Sequence, residues 1–166
     1  FTLQFILLKY LIMKKVLVLF ILINSNYIMA QQNNIENNQS VSNKETIRKF
    51  LETVRTGKSP ENAKLFMTDT VIAHQVNVED ESIVKRTPEN YIHHVKDFLK
   101  MYGDFSFEIT ELLADGDKVY ARWIQKGDHL ADLDGYAPTG KQINEIASVV
   151  YRLENNKIVE YWIQID

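Results

Sequence analysis

The chain has 166 residues, 45% hydrophobic and 25% charged, enough for one globular domain with its own core. Setting aside three leader lysines (Lys9, Lys14 and Lys15) leaves 16 basic against 22 acidic residues, a net charge of −6. That balance argues against nucleic acid or anionic membrane as partners, and the absence of cysteine excludes disulfides, a thiolate nucleophile and a lipid-modified cysteine anchor.

Met13-Lys14-Lys15, then "VLVLFILI" and "NSNYIMA", have the charged start, short apolar run and small terminal residue of a secretory signal. Residues 1–30 are therefore expected to be leader, cut after Ala30, with Phe1–Ile12 read as an over-extended start. The rival reading is a membrane anchor. Lys14 and Lys15 split the apolar runs, and neither run reaches the roughly 20 residues of a spanning helix. Export to a bacterial periplasm or exterior, with no stable membrane insertion after cleavage, is the expectation.

Residues 31–41 are polar and are expected to form a disordered linker before a domain over 42–166. Ser42 and Glu45 fit a capping box, followed by Ile47, Phe50, Leu51 and Val54 at helical spacing and by Gly57 as a stop. Ser59-Pro60 starts a short second helix through Phe66, and Val71–Val76 is strand-like. Glu79–Ser82 reads as a solvated turn. Thr87-Pro88 opens a third helix with Tyr91, Val95, Phe98, Leu99 and Tyr102 on one stripe. Phe105–Ala114 and Lys118–Gln125 form a hairpin about Asp115-Gly116, and a loop over 126–141 precedes a last hairpin that turns at Asn155-Asn156. Helices first and strands last predict an α+β domain, with helices packed on one face of an antiparallel sheet.

A two-residue turn at Asn155-Asn156 would pair Tyr151 with Glu160, Val149 with Trp162, Ala147 with Gln164 and Glu145 with Asp166. One face would then mix carboxylates and aromatics, which suits a ligand cavity better than a plain core. Glu145 and Asp166, set opposite each other, could not both ionise easily, so one would have a raised pKa fit for acid/base work; the bland alternative is that both point into water. His74 shares a strand face with Ile72 and Val76 and is expected inward, as a proton relay or as a core histidine. Trp123 and Trp162 would wall a cavity for a ring-bearing ligand or serve as ordinary core. Tyr136 sits in the loop before the last hairpin, as a lid or an anchor. His93 and His94 are adjacent on a helix with no third ligand at metal-site spacing, so a solvated face is expected; "DLDG" (Asp132–Gly135) fails as a calcium loop. The remaining sheet face, with Val150, Tyr161, Ile163 and Ile165, is apolar enough to predict a homodimer.

In order and spacing, "VIAH", "ELLADGDKVYARW", "GYAPTGK" and "VVYRLENNKIVEYW" resemble the SnoaL-like polyketide cyclases (ester cyclases) of the nuclear transport factor two-like superfamily, from about Asn43 to Asp166. The resemblance implies a cone-shaped, curved sheet wrapped by three helices around one pocket for a small apolar, cyclic ligand, with no cofactor and no metal. It also implies a pocket-lining His74, a pocket-mouth Tyr136, and a hydrogen-bonding role for Glu160, which would orient Tyr151 or a substrate hydroxyl or pair with Arg122. His74, Glu145 and Asp166 would handle protons; Trp123, Tyr136, Tyr151, Glu160, Trp162 and Gln164 would bind substrate. The cyclases carry their catalytic Asp two residues before the aromatic of the "YR" pair, where this chain has Val149. Cofactor-free isomerisation, cyclisation or hydrolysis is therefore weighed against a binding module without chemistry and against a structural domain whose pocket is filled by side chains.

Overall fold

The computed structural model describes Lys14 and residues 28–76, 81–132, 135 and 137–165. Tyr136, Asp166, the apolar core of the expected leader and Glu79 lie outside these residues. Gln39–Asp166 forms one compact unit, and the chain before it clusters separately. Residues 28–38 are helical, and residues 39–50 form helix α1. The expected linker is thus helical where it is described. It holds no Pro or Gly, and Gln32–Glu36 (3.2 Å) and Gln39–Asn43 (3.0 Å) are side-chain pairs at the helical spacing of four.

Ser42 is correspondingly no N-cap: its hydroxyl donates to Asn156 Oδ1 (3.0 Å). Asn43, fully buried, donates to the Gly116 carbonyl (2.9 Å), and Ser40 Oγ accepts from the Gly116 amide (2.9 Å). The polar start of α1 therefore ties down both hairpin turns.

The apolar stripe of α1 packs inward through Ile47, Phe50, Leu51 and Val54, each at most 1% exposed. Its end widens into a π turn, Leu51–Arg55, closed by the Thr56 amide on the Leu51 carbonyl (3.1 Å). The wider turn brings both Val54 and Arg55 to the buried side. A 3₁₀ turn at Pro60–Asn62 leads into α2 (Ala63–Phe66). Helix α3 (Pro88–Tyr102) opens with Pro88 and a reciprocal Thr87–Asn90 capping box, as the sequence foretells a start there.

Six strands follow the order β2-β1-β6-β5-β4-β3: β1 (Met67–Val76), β2 (Glu81–Arg86), β3 (Ser106–Asp115), β4 (Lys118–Asp128), β5 (Gln142–Glu154) and β6 (Lys157–Ile165). All neighbours are antiparallel except β1 and β6. The α+β architecture holds; β2 is an addition, because Glu81 and Ser82, expected in a solvated turn, start a strand. Gly127 on β4 sits where α3 ends: a Cβ there would lie 2.9 Å from the Tyr102 carbonyl, so a side chain would push the helix off the sheet.

The β5–β6 hairpin turns as expected, with Asn155 (φ 51°) and Asn156 (φ 60°) both left-handed. Leu153 pairs with Ile158, but the next pair is Arg152 with Glu160, so Val159 is an extra, bulged residue. Beyond it Tyr151 faces Tyr161, Val150 faces Trp162 and Ser148 faces Gln164. The expected register is therefore one residue off from Val159 onward, and every later β6 side chain changes face.

Candidate functional site

The concave face carries Val119, Ala121, Trp123 and Gln125 of β4 opposite Tyr151, Val149, Ala147 and Glu145 of β5, all buried. Tyr161, Ile163 and Ile165 of β6 join this face through the bulge. Between it and α3 lies a cavity of about 330 Å³, walled by Tyr91, Phe98, Trp123, Tyr151, Tyr161 and Ile163, with Arg55, Arg86 and Glu145 as its charged members and His94 beside them.

Glu145 is 9% exposed and accepts from Arg55 Nη2 at 3.2 Å. Burial pushes its carboxyl up, and the Arg55 charge pulls back without cancelling the rise. Arg55, 5% exposed, lays its guanidinium over Phe98 (4.3 Å to the ring centre) and Trp123 (5.6 Å). Burial likewise raises Tyr91, Tyr151 and Tyr161, keeping three neutral phenols in the wall. His94 presents an exposed edge at the cavity, and burial of its inner side together with the Arg86 and Arg55 charges holds it down, to about 4. Its ring is therefore neutral at pH 7 and able to accept a proton or donate a hydrogen bond.

Several buried polar atoms of this face have no partner among the described residues: Arg55 Nη1, Arg86 Nε, Trp123 Nε1 and both amide atoms of Gln125, the cross-strand neighbour of Glu145. The set is rich in N–H donors.

Of the expected site residues, Glu145, Trp123 and Tyr151 meet in this cavity. His74, Glu160, Trp162 and Gln164 do not. His74 is on the face of Ile72, as expected, but that face is the outer one, since Val71 and Ala73 are the fully buried residues of β1. Its ring stacks on Trp162 (4.8 Å, 14°) and bridges Glu81 and Glu160 through its two nitrogens. Glu160 pairs with Arg152 (2.9 Å), not Arg122, and the hydrogen bonds from His74 and Arg152 hold its carboxyl below the usual range. The three proton-handling candidates are thus not assembled: His74 is across the sheet from Glu145, and Asp166 lies outside the described residues. Tyr161, Ile163 and Ile165, expected on the outside, belong to the cavity. His94, expected to be merely solvated, lines it. No group able to hold a metal ion occurs among the described residues.

A family model, SnoaL-like polyketide cyclase, matches residues 45–166. The chain belongs to the SnoaL-like polyketide cyclase family. The structure is similar to a candidate polyketide cyclase from Acidithiobacillus ferrooxidans (25% identity, TM-score 0.64, 75% of this chain and 88% of that one). It is also similar to IdmH, a candidate polyketide cyclase from Streptomyces antibioticus (20%, TM-score 0.62, 75% and 91%), and to a SnoaL-like protein from Jannaschia (13%, TM-score 0.65, 77% and 88%). No curated protein matches the chain in sequence. Within this SnoaL-like fold Val149 is inward and 1% exposed, so the position implied for the cyclase acid holds no ionisable group. Glu145 lies four residues earlier on the same face.

Arg55, Arg86, Tyr91 and Tyr161 are the members that sequence reasoning passed over. Arg55 and Arg86 carry little local signal, because a basic residue at a helix end or in a short edge strand is ordinarily a surface feature. Tyr161 had one: Tyr161, Ile163 and Ile165 alternate with Glu160, Trp162 and Gln164, and that alternation alone puts the apolar set inside.

Proposed function

We propose that this chain binds a small, mostly apolar, ring-bearing molecule between α3 and the concave sheet face, and that Glu145 exchanges a proton with it without a cofactor. One observation carries the reading: a buried carboxyl with a raised pKa, held by Arg55, in the wall of an aromatic cavity of about 330 Å³. An acid poised nearer neutrality can both take a proton from a carbon beside a carbonyl and return it, the step shared by isomerisation and aldol-type cyclisation. Neutral His94 and the orphaned donors are placed to hydrogen-bond the carbonyl oxygen as charge develops on it. Export by the leader is part of the same reading and rests on the pattern of residues 13–30.

The probe is 2-tetralone, a bicyclic ketone with acidic α-protons. The chain has two tryptophans, and in a Trp162→Phe variant the remaining indole, Trp123, reports on the cavity. Binding should quench it, and α-proton exchange into D₂O followed by NMR should be faster than in buffer. Glu145→Gln should keep the quenching and lose the exchange by about 10²-fold or more. No quenching would end the cavity reading. Quenching without exchange would select a second reading, binding without chemistry, which Val149 at the cyclase acid position favours.

A further inference from the structure

The cavity is unbalanced in charge. Among the described residues that line it, two guanidiniums, Arg55 and Arg86, face one carboxylate, Glu145. The remaining titratable members are neutral at pH 7: three phenols whose pKa values burial raises and a histidine held down to about 4. Among the described residues one positive charge is therefore left over inside an aromatic wall.

The hydrogen bonds are unbalanced in the same sense. Arg55 spends Nη2 on Glu145, while its Nη1, in a side chain 5% exposed, has no partner among the described residues. The Arg86 charge acts on the Tyr161 phenol, and Arg86 Nε has no hydrogen-bond partner among the described residues. The indole Nε1 of Trp123 is likewise without a partner among the described residues. A buried donor left unmade is costly, and for a charged group more so. Tyr91, His94 and Tyr161 each feel both Arg55 and Arg86, which sets the two cations around one space.

We propose that the cavity selects a ring-bearing carboxylate, its two oxygens received by Arg55 Nη1 and the Arg86 guanidinium while the ring lies against Phe98 and Trp123. A carboxylate supplies the missing negative charge and four lone-pair sites at once, which a neutral ring compound cannot. The proposal deepens the cavity reading above and depends on it.

Three probes of matched shape separate the two ideas: 2-naphthoate, neutral 2-naphthalenemethanol and cationic 2-naphthylmethylammonium, each titrated calorimetrically into the full chain. Naphthoate should bind at least about tenfold tighter than the alcohol, and the cation weakest, as hydrogen bonds to a charged partner require. Arg86→Gln should bring the naphthoate-to-alcohol preference within about threefold, with far-UV circular dichroism unchanged. Arg86 is chosen because Arg55 also holds Glu145, and its loss endangers folding. Equal binding of alcohol and naphthoate would overturn carboxylate selection and leave ring binding standing. Binding of none would overturn the cavity reading itself. A preference that survives Arg86→Gln would overturn the place given to Arg86.

Discussion

His74 sits between the carboxylates of Glu81 and Glu160 on the outer face, with its ring flat on Trp162. Burial of the ring works to lower its pKa from 6.5, but the hydrogen bonds to Glu160 and Glu81 outweigh that and leave it raised. A histidine raised in the folded state binds a proton that the unfolded chain has lost. Its stabilising contribution is whole below about pH 6.5 and fades as pH climbs through the higher folded value. The melting temperature should therefore fall across the range above pH 6.5. His74→Phe keeps the stacked ring but not the charge, and should flatten that part of the curve; an unchanged pH profile would remove His74 from this role. Why the sequence misplaces this residue is physical. A strand fixes that Ile72, His74 and Val76 share a side, but with Val71 and Ala73 alternating between them either side is apolar enough to be core. Arg55 fails for the opposite reason. Nothing near it in sequence announces the π turn that rotates it inward.

At the scale of elements, the extra residue Val159 decides the composition of the cavity. The turn at Asn155-Asn156 is legible because its two left-handed positions favour asparagine, and Glu145, Trp123 and Tyr151 are legible because β4 and β5 pair without interruption from Lys118–Arg152 to Asp128–Gln142. Counting pairs outward from the turn fails at the first bulge, whereas the alternation of Tyr161, Ile163 and Ile165 with polar neighbours survives it. Bulges cannot be read from turn chemistry. They are settled by which side chains find a core. Deleting Val159 is the direct check. With the extra residue gone, Ile158 opposite Leu153 is followed at once by Glu160 opposite Arg152, so the later β6 pairs keep their faces and Tyr161 and Ile163 stay inward. We expect native near-UV circular dichroism and retained quenching of Trp123 by 2-tetralone. Lost near-UV signal at retained far-UV signal would mean that the bulge itself, and not only the pairing beyond it, holds the aromatic wall.

For the whole compact unit, the bulge divides what looks in sequence like one apolar outer face. Of Val150, Tyr161, Ile163 and Ile165, Val150 alone stays on the face of Trp162. That face is not polar in compensation. Tyr120, Val150 and Trp162 border a shallow groove of about 220 Å³, and exposed Ile72 and Ile83 lie on the same side, beside an ion-paired cluster of His74, Glu160 and Arg152. The ions of that cluster are already matched within the chain, and Lys118 adds a cation 5.8 Å from the Trp162 ring centre at the edge of the groove. We propose that two copies pair through this face, as self-complementary apolar surfaces do in two-fold dimers. Multi-angle light scattering should give twice the chain mass. Val150→Lys, which places a charge at the centre of the groove without touching the cavity behind it, should give the single mass while 2-tetralone still quenches Trp123. A wild-type chain that runs as a monomer at high concentration would refute the pairing and leave the groove as plain surface.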